Sequence, residues 1–115
     1  MYVGTDLVEV KKINNLILNY NKKFLNRVYS NNEQNYCKNK KTPQIHYAGR
    51  FAAKEAVKKT LLQSKLISSI KLKNIEINNS INGAPYIIIK NYSIDKKIQI
   101  SISHTDKYAI AFAIL

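Results

Sequence analysis

Acids, glycines, prolines and cysteine are all scarce in this chain of 115 residues, and tryptophan is absent. Seven carboxylates stand against 19 lysines and arginines, a formal net charge of +12. A balance so poor in acid calls for a negatively charged partner: nucleic acid, membrane surface, phosphorylated ligand or acidic protein. The single cysteine, Cys37, excludes a disulfide framework within the chain, and it fits a reducing, cytoplasmic setting. Cys37, His46 and His104 are the only soft metal ligands, fewer than the usual structural zinc site requires. No apolar run approaches the ~18 residues of a membrane helix. Met1–Asp6 also lacks the basic and then apolar plan of a signal peptide. No linker, repeat or composition break divides the chain, so residues 1–115 are expected to form one domain.

Lysine is what the chain has in abundance. Only Arg27 and Arg50 among the 19 basic residues are arginine. Lys, Asn, Ile and Tyr share A/T-rich codons, so part of the charge is read as solvated surface without a function. Hydrophobic residues make up 45%, enough for a real core at this length.

The pattern predicts an α+β fold with an antiparallel sheet packed on a long helix. Tyr2–Val8 reads as a strand. Val10, Ile13, Leu16, Ile17 and Tyr20 then recur at helical spacing. A second helical piece covers Lys23–Tyr29, and Ser30-Asn31-Asn32-Glu33 has the form of a capping box. Thr42-Pro43 opens the longest helix, to about Gln63, with Thr as cap and Pro in the first turn. On it Gly49, Ala52, Ala53, Ala56 and Thr60 form a small-residue side for close packing. Arg50, Lys54, Glu55, Lys58 and Lys59, with Tyr47 and Phe51, are assigned to an opposite, charged side. The second half alternates with period two over Asn74–Asn78, Pro85–Lys90, Lys97–Ser103 and Lys107–Leu115, and Asn82-Gly83 marks a hairpin. The last strand is apolar on both faces, as in a sheet interior or a subunit interface.

Three groups of residues are candidates for chemistry. Arg50, Lys54 and Lys58 fall at i, i+4 and i+8, and Glu55–Lys59 is an i, i+4 pair of favourable orientation. The set reads either as a solvated helix face or as a phosphate-binding ladder with one carboxylate kept for a metal. Asp6 sits where strand gives way to helix, as a cap or as a second metal ligand. His104, between Ser103 and Thr105, is either a surface residue or a hydrogen-bond donor to a phosphate. A Ser-His-Asp triad from Ser101 or Ser103, His104 and Asp106 is rejected, because neighbours on one strand point to opposite faces. Cys37, with Lys38, Lys40 and Lys41 nearby but no matched base, reads as an inert thiol. A small basic nucleic-acid-binding or ribosome-associated module is the alternative, although no helix-turn-helix glycine, zinc knuckle or aromatic RNA-binding strand is present.

Taken in order, these residues resemble the holo-[acyl-carrier-protein] synthases, the short single-domain branch of the 4'-phosphopantetheinyl transferases. Gly4-Thr5-Asp6-Leu7-Val8-Glu9-Val10 is similar to that family's opening motif, and Arg50-Phe51-Ala52-Ala53-Lys54-Glu55-Ala56 matches its most characteristic block. Phe24–Cys37, Asn82-Gly83-Ala84-Pro85 and Ser101-Ile102-Ser103-His104-Thr105 resemble its later stretches at matching spacing. The resemblance implies transfer of the 4'-phosphopantetheine arm from coenzyme A to a serine of apo acyl carrier protein, releasing adenosine 3',5'-bisphosphate. It implies that Asp6 and Glu55 hold Mg²⁺ and that Glu55 and Lys59 are catalytic. Arg50, Lys54, His104 and Thr105 would bind coenzyme A, and Lys12 and Lys22 would dock the acidic carrier protein. A homotrimer with the site between subunits is also implied, with neither nucleic acid nor membrane as partner.

The chain departs from the family pattern at several positions. Lys12 stands where the family carries Arg, which keeps the charge but not bidentate recognition. Leu62-Gln63-Ser64 replaces a Gly-Thr-Gly loop, and Ala84 replaces the hairpin lysine. The segment Asn91–Lys96 leaves little room for a helix.

Overall fold

The computed structural model describes residues 1–94 and 97–115. Strand β1 (Val3–Glu9) runs straight into α1 (Val10–Tyr20), where alternation yields to helical spacing. Glu9 is the N-cap residue and makes no side-chain cap bond, so Asp6 is left free of that duty. Asn21, at φ 49, turns the chain into α2 (Lys22–Val28). The expected capping box opens α3 (Asn31–Lys38): the Ser30 amide donates to Glu33 Oε1 at 2.8 Å, and the Glu33 amide donates to Ser30 Oγ at 3.2 Å.

Helix α4 (Pro43–Ser64) has Pro43 in its first turn and Thr42 at the N-cap, although the Thr42 side chain makes no cap hydrogen bond. It ends where Lys65 adopts the left-handed conformation at φ 62, a place glycine usually takes. A short 3₁₀ turn (Leu72–Asn74) precedes β2 (Ile75–Asn79), which pairs antiparallel with β3 (Pro85–Ile89). Gly83 supplies the positive φ, 90°, of the Asn82-Gly83 hairpin. Strands β4 (Gln99–His104) and β5 (Tyr108–Ile114) follow. Part of the short segment 91–96 lies outside the described residues.

Among the described residues the strands form two sheets rather than one: three antiparallel strands in the order β1-β5-β4, and the separate β2-β3 hairpin. The hairpin is hydrogen-bonded to the helices and not, among the described residues, laddered to β4. The Ile77 amide donates to Glu33 Oε2 at 3.0 Å, and Lys54 Nζ donates to the Ile75 carbonyl at 2.6 Å.

Helix α4 lies across the inner face of the three-stranded sheet, to which Gly4, Val8, Ala109, Ala111 and Ala113 contribute buried positions. Small residues on both sides bring the layers close. A Cβ at Gly4 would overlap the Ala56 carbonyl oxygen and Thr60 Oγ1, so β1 runs nearly against the helix backbone. Val57 and Leu61, fully buried, each contribute about 1.5–3 kcal/mol by leaving water. The expected division of α4 into a packed side and a charged side needs correction. Tyr47, Arg50 and Lys54 are buried as well, because α3 and the β2-β3 hairpin cover the side the sheet does not reach.

Candidate active site

Two clusters of polar side chains flank α4. The first is built where β1 crosses the helix. The Val3 amide donates to Gln63 Oε1, Gly4 abuts Ala56 and Thr60, and Asp6 meets Lys59, so the strand crosses the helix between Ala56 and Gln63. Lys59 Nζ lies 3.1 Å from Asp6 Oδ1 and donates to the Thr5 carbonyl at 2.9 Å. The Asp6 side chain is largely covered and Lys59 about half exposed, so the pair sits at a rim open to a ligand. Glu55 is one helical turn before Lys59 on the same side of α4 and is partly exposed. Asp6 and Glu55 supply hard carboxylate oxygens with a cation beside them. That donor set suits Mg²⁺, which takes one or two carboxylates and completes its shell with water and phosphate. Among the described residues no three His, Cys, Asp or Glu side chains gather as a self-sufficient metal site.

The second cluster lies on the far side of α4. The Arg50 guanidinium sits 3.8 Å over the Tyr36 ring, and its Nη2 donates to Asn79 Oδ1. Lys40 Nζ is 4.5 Å from the centre of the same ring. Tyr36 meets His46 edge-on at 5.8 Å, and His46 meets His104 at 6.1 Å. His104 ends β4 and Thr105 begins the next turn, its Oγ1 accepting from the Lys107 and Tyr108 amides at 3.1 and 3.0 Å. The Thr105 hydroxyl proton therefore remains available to a ligand.

The structure thus joins Arg50 to His104 and Asp6 to Lys59, but not one pair to the other. His46 and Glu55 are nine residues apart, about half a turn around the helix at 100° per residue. Asp6 and His104 both stand on the inner face of the sheet but on opposite edge strands, with β5 between them.

The cationic ladder is corrected in two ways. Lys54 leaves it altogether: its Nζ is fully buried, 2.6 Å from Glu33 Oε1, and also donates to the Leu72 and Ile75 carbonyls. Burial pulls the Lys54 pKa below the ordinary lysine value, and Glu33 opposes that pull. A cation so enclosed cannot reach a coenzyme phosphate. Arg50 and Lys59, moreover, are nine residues apart and face opposite sides of the helix.

Lys12 and Lys22 are exposed on α1 and at the start of α2. Beside them, Leu16, Tyr20, Lys23, Phe24 and Arg27 line an open groove that is apolar along its floor and basic at its rim. Burial pushes the Cys37 thiol up to about 12, which makes it inert. The sequence offers His46 only as a soft metal ligand, and its contact with His104 across 58 residues of chain carries no local signal.

Residues 2–113 match the family model of the 4'-phosphopantetheinyl transferase superfamily, and the chain belongs to that superfamily. Within it, the chain is 44% identical over 116 residues to the holo-[acyl-carrier-protein] synthase of Protochlamydia amoebophila, covering 97% of this chain and 94% of that protein. The synthase of the same name from Thermodesulfovibrio yellowstonii is 42% identical, with 98% and 96% covered. Among solved structures, the Helicobacter pylori holo-[acyl-carrier-protein] synthase in complex with coenzyme A superimposes with a TM-score of 0.84 at 32% identity, covering 97% of each chain. The Bacillus anthracis synthase, in complex with CoA (3',5'-ADP), gives a TM-score of 0.81 at 31% identity, covering 97% of this chain and 92% of that one.

Proposed function

We propose that this chain is a holo-[acyl-carrier-protein] synthase. It transfers 4'-phosphopantetheine from coenzyme A to a serine of apo acyl carrier protein, acts as one domain over residues 1–115, and works in the cytoplasm within fatty acid biosynthesis. The observation that carries the reading is the Asp6–Lys59 contact beside Glu55, inside a fold and motif set shared with synthases of that name.

Asp6 and Glu55 would hold Mg²⁺. When bound, that ion polarises the phosphoryl group under attack and offsets charge on the departing nucleotide. Lys59 holds Asp6 in place and presents its remaining N–H donors to the pyrophosphate as a compact cation. Glu55 is the charged group best placed to orient the carrier serine hydroxyl or accept its proton. Arg50, His104 and Thr105 bind the phosphates of coenzyme A. The groove between α1 and α2, with Lys12 and Lys22 beside it, receives an acidic carrier protein, its basic rim steering and its apolar floor docking.

A homotrimer completes this site. The outer face of the three-stranded sheet carries Val3, Leu7, Tyr108, Ile110 and Phe112, each 41–65% exposed. In a closed ring packed on these faces, the β1 edge of one copy adjoins the β4 edge of the next. Asp6, Glu55 and Lys59 then meet the Arg50, His104 and Thr105 of a neighbour.

The test is direct. The protein, coenzyme A, Mg²⁺ and apo carrier protein are mixed, and mass spectrometry reads the carrier for one added phosphopantetheine. The wild type adds it, whereas Glu55→Gln folds normally and does not. No addition by the wild type at any metal concentration would sink the reading.

A further inference from the structure

We propose that His46 is a positioning residue for the coenzyme half-site: its ring is the surface that sets His104 at the end of β4. This rests on the reading of Arg50 and His104 as ligands of coenzyme A phosphates. Little else holds His104. It is an exposed residue at a strand end, and none of its side-chain atoms has a hydrogen-bond partner among the described residues. Its contact with His46, 6.1 Å between ring centres at 62°, falls in the edge-to-face range. His46 is in turn set by Tyr36, at 5.8 Å and 77°, and Tyr36 lies under the Arg50 guanidinium. Four side chains therefore form a continuous stack from Arg50 to His104, with His46 as its link to β4 among the described residues. The link is anchored on two rigid elements, since His46 belongs to α4 and Tyr36 to α3.

The charges around His46 fix its working state. Burial chiefly, then Lys40 from the α3–α4 connection, His104 from β4 and Arg50 one turn along α4, hold its pKa below the ordinary histidine value. That environment favours the uncharged His46 ring, so His104 faces no added cation from its neighbour. In acid an imidazolium at position 46 would face Lys40, Arg50 and His104 together, and the stack would be pushed apart.

Three variants test this in the full-length protein. His46→Ala should raise the KM for coenzyme A about three- to tenfold, the value of one aromatic contact, with kcat within twofold. His46→Phe, which keeps a ring but cannot take a proton, should restore KM at pH 8. It should also lose the part of the acid-side rise in KM that belongs to His46. His46→Gln, polar and flat but not aromatic, should behave like Ala. The chain has two histidines, so NMR supplies a readout independent of turnover: the His104 ring-proton signal should shift in His46→Ala and show a cross-peak to His46 in the wild type. Unchanged KM in His46→Ala, equal damage by Ala and Phe, or an unmoved His104 signal would each overturn the proposal. If wild-type protein transfers nothing, the coenzyme reading fails instead, and the NMR arm still decides whether His46 sets His104.

Discussion

Lys54 and Glu33 are both fully enclosed, and between them they close four separate elements onto one another. Glu33 Oε1 caps α3 and takes the Lys54 ammonium, while Oε2 accepts the Ile77 amide from β2. Lys54 spends its other protons on the carbonyls of Leu72 and Ile75. Removing one partner leaves a buried charge without compensation, so Lys54→Met should cost about 3–5 kcal/mol in urea unfolding. Lys54→Met combined with Glu33→Gln should recover part of that loss. The KM of folded Lys54→Met for coenzyme A should stay within twofold of wild type, because the ammonium does not reach solvent. A tenfold rise in KM with little loss of stability would restore Lys54 to the binding site. The capping box around Glu33 was legible in four consecutive residues. Its second use was not, because the spacing of Ser30 and Glu33 carries no word of Lys54 or Ile77. Local signals read the near bond, and long-range packing decides the costly one.

At the scale of elements, β1 and α4 together decide where the first cluster stands. Both are plain in the sequence: alternation to Val8, then small residues at helical spacing from Gly49 to Thr60. Less plain is which turn of the helix each strand residue meets, since that depends on how closely the layers approach. Gly4 sets the approach. Gly4→Ala would drive a methyl into the Ala56 carbonyl and Thr60 Oγ1, and backbone cannot yield as a flexible side chain does. Overpacking of this kind should cost about 1–3 kcal/mol. The displacement should also lift Asp6 away from Lys59, so transfer should fall more than tenfold at a temperature where calorimetry shows the variant folded. Wild-type turnover in a destabilised Gly4→Ala would mean that the Asp6–Lys59 contact does not need this spacing. The charged side assigned to α4 misled for a related reason. Periodicity finds one stripe, but a helix covered by a sheet, a hairpin and α3 buries nearly all round: Lys54 loses water altogether, while Glu55, Lys58 and Lys59 keep their charges near it.

For the whole molecule, the separation of the two clusters is the fact to be explained. Asp6, Glu55 and Lys59 lie toward one edge of the sheet and Arg50 and His104 toward the other, and in the proposed homotrimer a ligand held by both sets bridges two copies. The outer sheet face offers the means, with Leu7 paired to Ile110 and Phe112 between Thr5 and Ser101. Burying this apolar strip favours assembly at roughly 25 cal/mol per Å². Complementation gives the sharpest test, because it asks where a site's residues come from and not merely how many chains associate. Glu55→Gln damages one half-site and His104→Ala the other. Each alone should be inactive or nearly so when coenzyme A is limiting. After mild dissociation and reassociation of a 1:1 mixture, a site draws an intact Glu55 from one copy half the time and an intact His104 from its neighbour half the time. About a quarter of wild-type transfer should therefore return. If each site lay within one chain, mixing would return nothing, since every chain would carry a damaged half. Phe112→Asp, which places a charge on the shared face, should leave monomers in sedimentation and block the recovery.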